Sequence, residues 1–220
     1  VRKLATDIVL LKRYRLQRLL GQGGMGVVWL ARDIELNEDV ALKFLPEMVA
    51  RDKLALEELK VEVRRSRRVT HQNIVRIHDY LQDTDWAGIS MEYVEGETLS
   101  ELRVHQPGYV FSAGELGPWV RQLCAALDYA HTQVRMVHHD LKPANCMITV
   151  QSELKLCDFG IARSLSESVT RLTTRERTSG TLIYMSPQHL MGDDPAVSDD
   201  IYSLGATLYE LFTSKPPFYS

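Results

Sequence analysis

The chain has 220 residues, 45% hydrophobic and 25% charged, a composition that suits one large globular domain or two small ones. Its formal net charge of −3 and pI near 6.2 give no global attraction to polyanions, which argues against a dedicated nucleic-acid or anionic-membrane binder and leaves any phosphate chemistry to local sites. Cys124, Cys146 and Cys157 have neither metal-ligand spacing nor an even count, and no apolar run approaches the ~20 residues that cross a bilayer, so the expectation is a cytoplasmic domain whose three thiols pack as small hydrophobes.

From Tyr14 to Val94 the apolar residues come in short β-branched bursts: Leu16 to Leu20, Val27 to Leu30, Val40 to Leu45, Ile74 to Leu81 and Ile89 to Val94. These predict strands. One helical pattern interrupts them, with Leu56, Leu59 and Val63 at steps of three and four. Glu95-Gly96-Glu97 is the natural joint, because the periodicity changes after it. Val120, Leu123, Leu127 and His131 predict a helix opened by Pro118 at an early position, and Ile201, Leu204, Leu208 and Leu211 predict another. Between them Cys146 to Val150 and Leu154 to Cys157 flank the polar turn Gln151-Ser152-Glu153, the pattern of a short hairpin.

Three stretches carry chemistry. Gly21-Gln22-Gly23-Gly24-Met25-Gly26 is followed by the strand formers Val27 to Leu30, where a dinucleotide-binding loop would open a helix, and no Gly-Lys-Ser/Thr is present. A hairpin turn lying over phosphates fits best, with glycines where a Cβ would block backbone approach. Lys43 ends the apolar strand Val40-Ala41-Leu42-Lys43. Alone it reads better as a surface lysine on a strand edge, but Glu62 sits at the edge of the helix's apolar stripe, where a carboxylate needs a cation, and Lys43 is the obvious partner. The third stretch is His138-His139-Asp140-Leu141-Lys142-Pro143-Ala144-Asn145, with Asp158-Phe159-Gly160 eighteen residues past Asp140.

This third pair resembles the catalytic loop and Asp-Phe-Gly segment of the eukaryotic-like (Hanks-type) Ser/Thr protein kinases, bacterial members above all, and the other two motifs precede it in the family's order. The resemblance runs from about Tyr14 to the last residue. It implies an α+β, two-lobed kinase fold over residues 1–220. The N-lobe of about 14–94 is a small antiparallel sheet with one main helix, and the C-lobe of about 97–220 is mostly helical and truncated at its C-terminal end. It further implies that Gly21, Gln22, Gly23, Gly24, Met25 and Gly26, with Val28, Ala41 and Lys43, bind ATP. Met91 stands at the gatekeeper position, with Glu92 and Val94 in the adenine-facing hinge. Asp140 orients the attacking hydroxyl, Lys142 steadies the γ-phosphoryl charge as in Ser/Thr-specific loops, and Glu62 holds Lys43. Asn145 and Asp158 ligate Mg²⁺, with Mn²⁺ as the alternative ion. The implied partners are ATP and protein substrates bearing Ser or Thr, with a transient dimer as an option, and with no nucleic acid and no membrane contact from this segment. The rival reading is a pseudokinase that binds nucleotide without transfer, against which the complete set Lys43, Glu62, Asp140, Asn145 and Asp158 stands.

Two departures concern regulation. His139 replaces the arginine that usually precedes the catalytic aspartate and lacks its permanent charge and bidentate fork, so activity is expected to depend only weakly on phosphorylation of the segment after Gly160. Within that segment Thr170, Thr173, Thr174 and Thr178 are candidate acceptors, Thr173 and Thr174 foremost. A metal site from His138, His139 and Asp140 is disfavoured because successive side chains diverge. Gln188 replaces the glutamate usual after the Ser-Pro pair, and Asp200 matches the buried helix aspartate that holds the catalytic loop. The run Arg64, Arg65, Arg67, Arg68 reads as a solvated helix end.

Overall fold

A computed structural model describes residues 4–159 and 182–217. The segment after Gly160, with its four threonines and Thr181, lies outside the described residues. Backbone contacts divide the chain into two units, one holding residues 4–68 and 76–93, the other 69–75, 94–159 and 182–217.

The first unit is a six-stranded antiparallel sheet in the order β1-β2-β3-β4-β6-β5. Its strands are β1 (Val9–Leu10), β2 (Tyr14–Gly23), β3 (Gly26–Asp33), β4 (Glu38–Phe44), β5 (Ile77–Gln82) and β6 (Ala87–Glu92). The period of two sorts each strand's residues between faces. Val40, Leu42 and Phe44 of β4 join a core with Leu10, Tyr14, Leu16 and Trp29, which leaves Ala41 and Lys43 on the opposite face. Each fully buried leucine here contributes roughly 2–3 kcal/mol. Helix α1 (Glu47–Ala50) leads into α2 (Lys53–Ser66), whose cap Asp52 accepts the Ala55 N–H at 2.7 Å and whose predicted stripe Leu56, Leu59 and Val63 is buried.

Strand β1 is not foreshadowed by alternation, being two residues long, yet Leu10 is fully buried. The strand expected from Ile74 begins only at Ile77. Ile74 and Val75 belong to the second unit instead, because the Val75 N–H donates to Leu156 O at 2.9 Å and the Leu156 N–H to Asn73 O at 2.8 Å.

The second unit carries a three-stranded antiparallel sheet, β7 (Gly96–Thr98), β8 (Cys146–Thr149) and β9 (Leu154–Leu156), the last two forming the predicted hairpin. Around it lie α3 (Leu99–Val104), α4 (Ala113–Tyr129), α5 (Pro187–Met191) and α6 (Val197–Thr213). Pro118 does not open α4. The helix starts at Ala113 behind a capping box in which Ser112 and Glu115 satisfy each other's backbone N–H, and Pro118 sits inside it as the sixth residue. A wide turn over Ala130–Val134 ends α4, closed by Arg135 in the left-handed conformation. The core gathers Leu116, Leu123 and Leu127 of α4 with Leu141, Ile148, Leu156 and Phe159.

Of the cysteines only Cys146 is buried as expected, its thiol pushed up to about 12 by burial; Cys157 is half-buried and Cys124 exposed, one position past Leu123 on α4. No helix among the described residues is long and apolar enough to cross a membrane.

Candidate active site

In the first unit the glycine-rich stretch is the predicted hairpin turn, joining β2 to β3 with Gln22 opposite Val27 and Gly23 opposite Gly26. The glycines there answer different constraints. Gly26 has φ +120°, and a Cβ on it would lie 1.9 Å from Phe44 O, so its need for glycine is internal to the sheet. A Cβ on Gly21 or Gly23 would meet nothing within 4 Å. Val28 opposes Lys43 across β3 and β4, and Met91 opposes Ala41 across β4 and β6. Directly opposed residues point to one face, so Val28, Ala41, Lys43 and Met91 share it. Lys43 is only 5% exposed, an unusual place for an ammonium group without a function. Glu62 on α2 is a quarter exposed and accepts from Arg65 Nη1 at 3.2 Å. The Glu92 N–H is engaged with Arg76 O at 2.8 Å, so the hinge role expected of Glu92 does not use that group.

In the second unit the catalytic-loop residues meet in one buried cluster. Asp140 receives Lys142 Nζ at 3.0 and 2.8 Å, one contact to each carboxylate oxygen. The Asn145 Nδ2 group donates to Asp140 O at 2.6 Å and to Asp140 Oδ2 at 2.9 Å. Both partners being acceptors, the amide orientation is settled, and the Asn145 Oδ1 atom faces away as an oxygen donor. The Cys157 N–H donates to Asn145 O at 2.8 Å, which ties the start of Asp158-Phe159 to the catalytic loop. Asp158 and His139 both hold left-handed backbone, φ 59° and 71°, conformations that non-glycine residues keep only where neighbours impose them. His138 is fully buried. Its Nδ1 accepts the Asp140 N–H at 3.2 Å, so the Nε2–H donates to Cys157 O at 2.8 Å, and its ring packs edge-on to Phe159.

Helix α6 anchors this loop. Asp200, fully buried, accepts the His138 N–H at 2.8 Å and the His139 N–H at 3.1 Å, as the sequence predicts. Burial pushes its carboxyl up, but the hydrogen bond from His131 and the His138 and His139 N–H groups outweigh this and hold it below the usual carboxylate range. Two further anchors escaped sequence reasoning. Asp199 receives the Ser186 hydroxyl at 2.5 Å, and Glu210 receives the Tyr184 hydroxyl while pairing with Arg103 at 2.7 Å. Their signal was available only in part: acidic residues inside an apolar helix stripe ask for partners, but nothing local says which.

The protein kinase domain model matches residues 14–220. The chain belongs to the protein kinase domain family. It is 41% identical over 212 residues to the serine/threonine-protein kinase PknB of Mycobacterium leprae, covering 94% of this chain and 33% of that protein. It is 37% identical over 211 residues to the serine/threonine-protein kinase PrkC of Bacillus subtilis, covering 94% and 31%. The kinase domain thus spans about a third of the length of the curated relatives it matches. Among solved structures, the PknI kinase domain of Mycobacterium tuberculosis superposes with a TM-score of 0.79 at 29% identity, covering 99% of this chain and 78% of that one. The two-lobed α+β kinase fold expected from the motifs is therefore the fold of this chain, with bacterial serine/threonine kinases as its relatives.

Proposed function

We propose that this domain transfers the γ-phosphoryl group of ATP to serine or threonine hydroxyls of proteins, itself included. The observation that carries the reading is the Asp140 carboxylate, only 7% exposed, fixed by Lys142 and Asn145 and aimed by a loop that Asp200 holds. Catalysis of phosphoryl transfer is chiefly positioning and charge stabilisation, and this cluster supplies both.

The substrate hydroxyl oxygen forms a bond to the γ-phosphorus while the bond from that phosphorus to the β,γ-bridging oxygen breaks. ADP leaves with the electron pair, and Asp140 takes the hydroxyl proton. Lys142, resting on Asp140 in this structure, is the cation assigned to the γ-phosphate oxygens. Gly21 and Gly23, where added side chains meet open space, allow backbone N–H groups to approach phosphates, and Lys43, for which Glu62 is the expected partner, would pair with the α and β phosphates. Met91, Glu92 and Val94 border the adenine. Asn145 Oδ1 and the Asp158 carboxylate are hard oxygen donors suited to Mg²⁺, or to Mn²⁺, which when bound neutralises phosphate charge. The need for ATP suits a cytoplasmic location.

The test is incorporation of labelled phosphate from Mg²⁺-ATP into a generic protein substrate by the chain, beside Asp140→Asn and Lys43→Met. Incorporation by the parent alone supports the reading. Equal incorporation by all three would overturn the assigned roles, and none by the parent, with nucleotide still bound, would make the domain a pseudokinase.

A further inference from the structure

A cavity of about 350 Å³ lies wholly within the first unit, between the C-cap of α2, the turn joining β3 to β4, and β5. Its floor is made by the buried residues Tyr14, Val40, Ile77 and Ser90. Its wall holds three arginines and three acidic residues, and they are not engaged alike. Buried Asp33 takes two hydrogen bonds from Arg13, whose guanidinium also lies 5.0 Å from the centre of the Tyr14 ring. Arg67 and Asp79 form a looser, exposed pair at 3.4 Å. Arg76 and Glu38 remain: both are exposed, and neither side chain has a hydrogen bond or ion pair among the described residues. The half-buried ring of His78 also lines the cavity. Burial, and then the charge of Arg76, hold it below the ordinary histidine range, so it is neutral at pH 7.

We propose that this cavity is an effector site for a small zwitterion with an apolar body, an apolar α-amino acid or a dipeptide of such residues, its carboxylate on Arg76 and its ammonium on Glu38. With three cations facing three anions, the wall offers no net attraction to a phosphate dianion, whereas a ligand carrying both signs satisfies both uncommitted groups. The apolar body covers Val40, Ile77 and the Tyr14 ring. Sheet register sets the scale. Arg76 stands opposite Glu92, Glu92 stands opposite Val40, and Glu38 is two residues before Val40 on β4. Two strand spacings of about 4.8 Å and two rises of about 3.3 Å put the backbones of Arg76 and Glu38 roughly 12 Å apart, a gap that two long side chains and a ligand of this size fill together. The consequence deepens the kinase reading and rests on it. Arg67 caps the helix that carries Glu62, and Val40 belongs to the strand that carries Lys43, so an occupant braced against both restricts their relative motion and should raise phosphate transfer.

The experiment is calorimetric titration of the chain, without nucleotide, with L-leucine and L-leucyl-L-leucine. Isocaproate, which lacks the ammonium, isoamylamine, which lacks the carboxylate, and inorganic phosphate serve as controls. At least one zwitterion should saturate the parent, and the tighter of the two tells whether the occupant is the amino acid or the dipeptide. Its affinity should fall at least about tenfold in Arg76→Gln and in Glu38→Gln, each of which removes one charge-assisted contact. Thermal melting checks that both exposed substitutions leave the unit folded. No saturable binding of either zwitterion, equal binding of a single-charge analogue or of phosphate, or unchanged affinity in the folded variants would overturn the site. Phosphate incorporation at saturating ligand reads the consequence: a rise of about twofold or more is expected in the parent and none in Arg76→Gln, and no rise in the parent would overturn the effector role. Because binding is measured without nucleotide, failure of the site is distinguishable from failure of the kinase reading, which incorporation without the ligand tests.

Discussion

His131 Nε2 lies 2.7 Å from Asp200 Oδ2, and the same carboxylate oxygen receives the His138 N–H. An ionised carboxylate only accepts, so His131 donates. With Asp200 fully buried, His131 is what makes the carboxylate tolerable beneath the loop. Replacing it by phenylalanine keeps the bulk and removes the donor. His131→Phe should cost about 2–3 kcal/mol in denaturant unfolding. Because the loop loses its support, kcat should fall while KM for ATP stays nearly constant. His131→Gln, which keeps a donor, should recover part of both. A His131→Phe enzyme with parental kcat and stability would show that Asp200 needs only the backbone N–H groups.

The glycine-rich turn separates folding from binding. Gly26→Ala drives a Cβ to within 1.9 Å of Phe44 O at φ +120°, and should destabilise the first unit by roughly 3 kcal/mol or more. Gly23→Ala adds a methyl that meets nothing, so the melting temperature should stay within about 2 °C, while KM for ATP should rise several-fold if the turn covers phosphates. Thermal melts and ATP titrations of the two variants check this, and equal destabilisation would refute the distinction.

Much of this was legible in the residues themselves. The apolar run from Val40 gives the strand, whereas the burial of Lys43 on the face opposite Val40, Leu42 and Phe44 does not follow from the strand pattern, which alone fits a surface lysine. The hairpin of β8 and β9 follows from its polar turn. What local pattern does not carry is pairing over long separations. His131 and Asp200 are 69 residues apart, and Arg103 meets Glu210 from another helix. Pro118 misled because its preference for first turns competes with the stronger start signal of Ser112 and Glu115. Ile74 and Val75 have the composition of a strand, and only tertiary bonds to β9 assign them to the second unit.

Asp33 makes a pH prediction. It is 2% exposed and takes Arg13 Nε at 2.9 Å and Nη2 at 2.6 Å, with the Glu35 and Leu36 N–H groups on its other oxygen. The guanidinium hydrogen bond holds its carboxyl below the usual range against the opposing effect of burial, and the two N–H groups help. A folded pKa below the unfolded value of about 3.9 means stabilisation that is complete above roughly pH 5 and lost as pH falls through the folded value. Asp33→Asn should flatten stability against pH below about 4. Arg13→Gln should cost about 2 kcal/mol at pH 7, less than the ~3–5 kcal/mol of a fully buried pair, because Arg13 is one-third exposed. Denaturant unfolding between pH 3 and 7 measures both, and an unaltered acid slope in Asp33→Asn would refute the assignment.

Lys142 reaches both oxygens of Asp140 with a side chain only 19% exposed, which makes its contribution separable from that of the aspartate. Asp140→Asn removes the proton acceptor and should lower kcat by about 10²–10⁴-fold. Lys142→Ala leaves the acceptor but frees it to turn and removes a charge from the γ-phosphate, so a smaller loss of about 10–100-fold in kcat is expected, with KM for ATP changed little. If Lys142 acts only by orienting Asp140, adding Lys142→Ala to Asp140→Asn should cost nothing further. If it also meets the phosphoryl group, the double variant should lose about another tenfold. Single-turnover phosphorylation by the four proteins distinguishes the two cases, since residues acting through one another are non-additive while residues acting separately on the transition state multiply their effects.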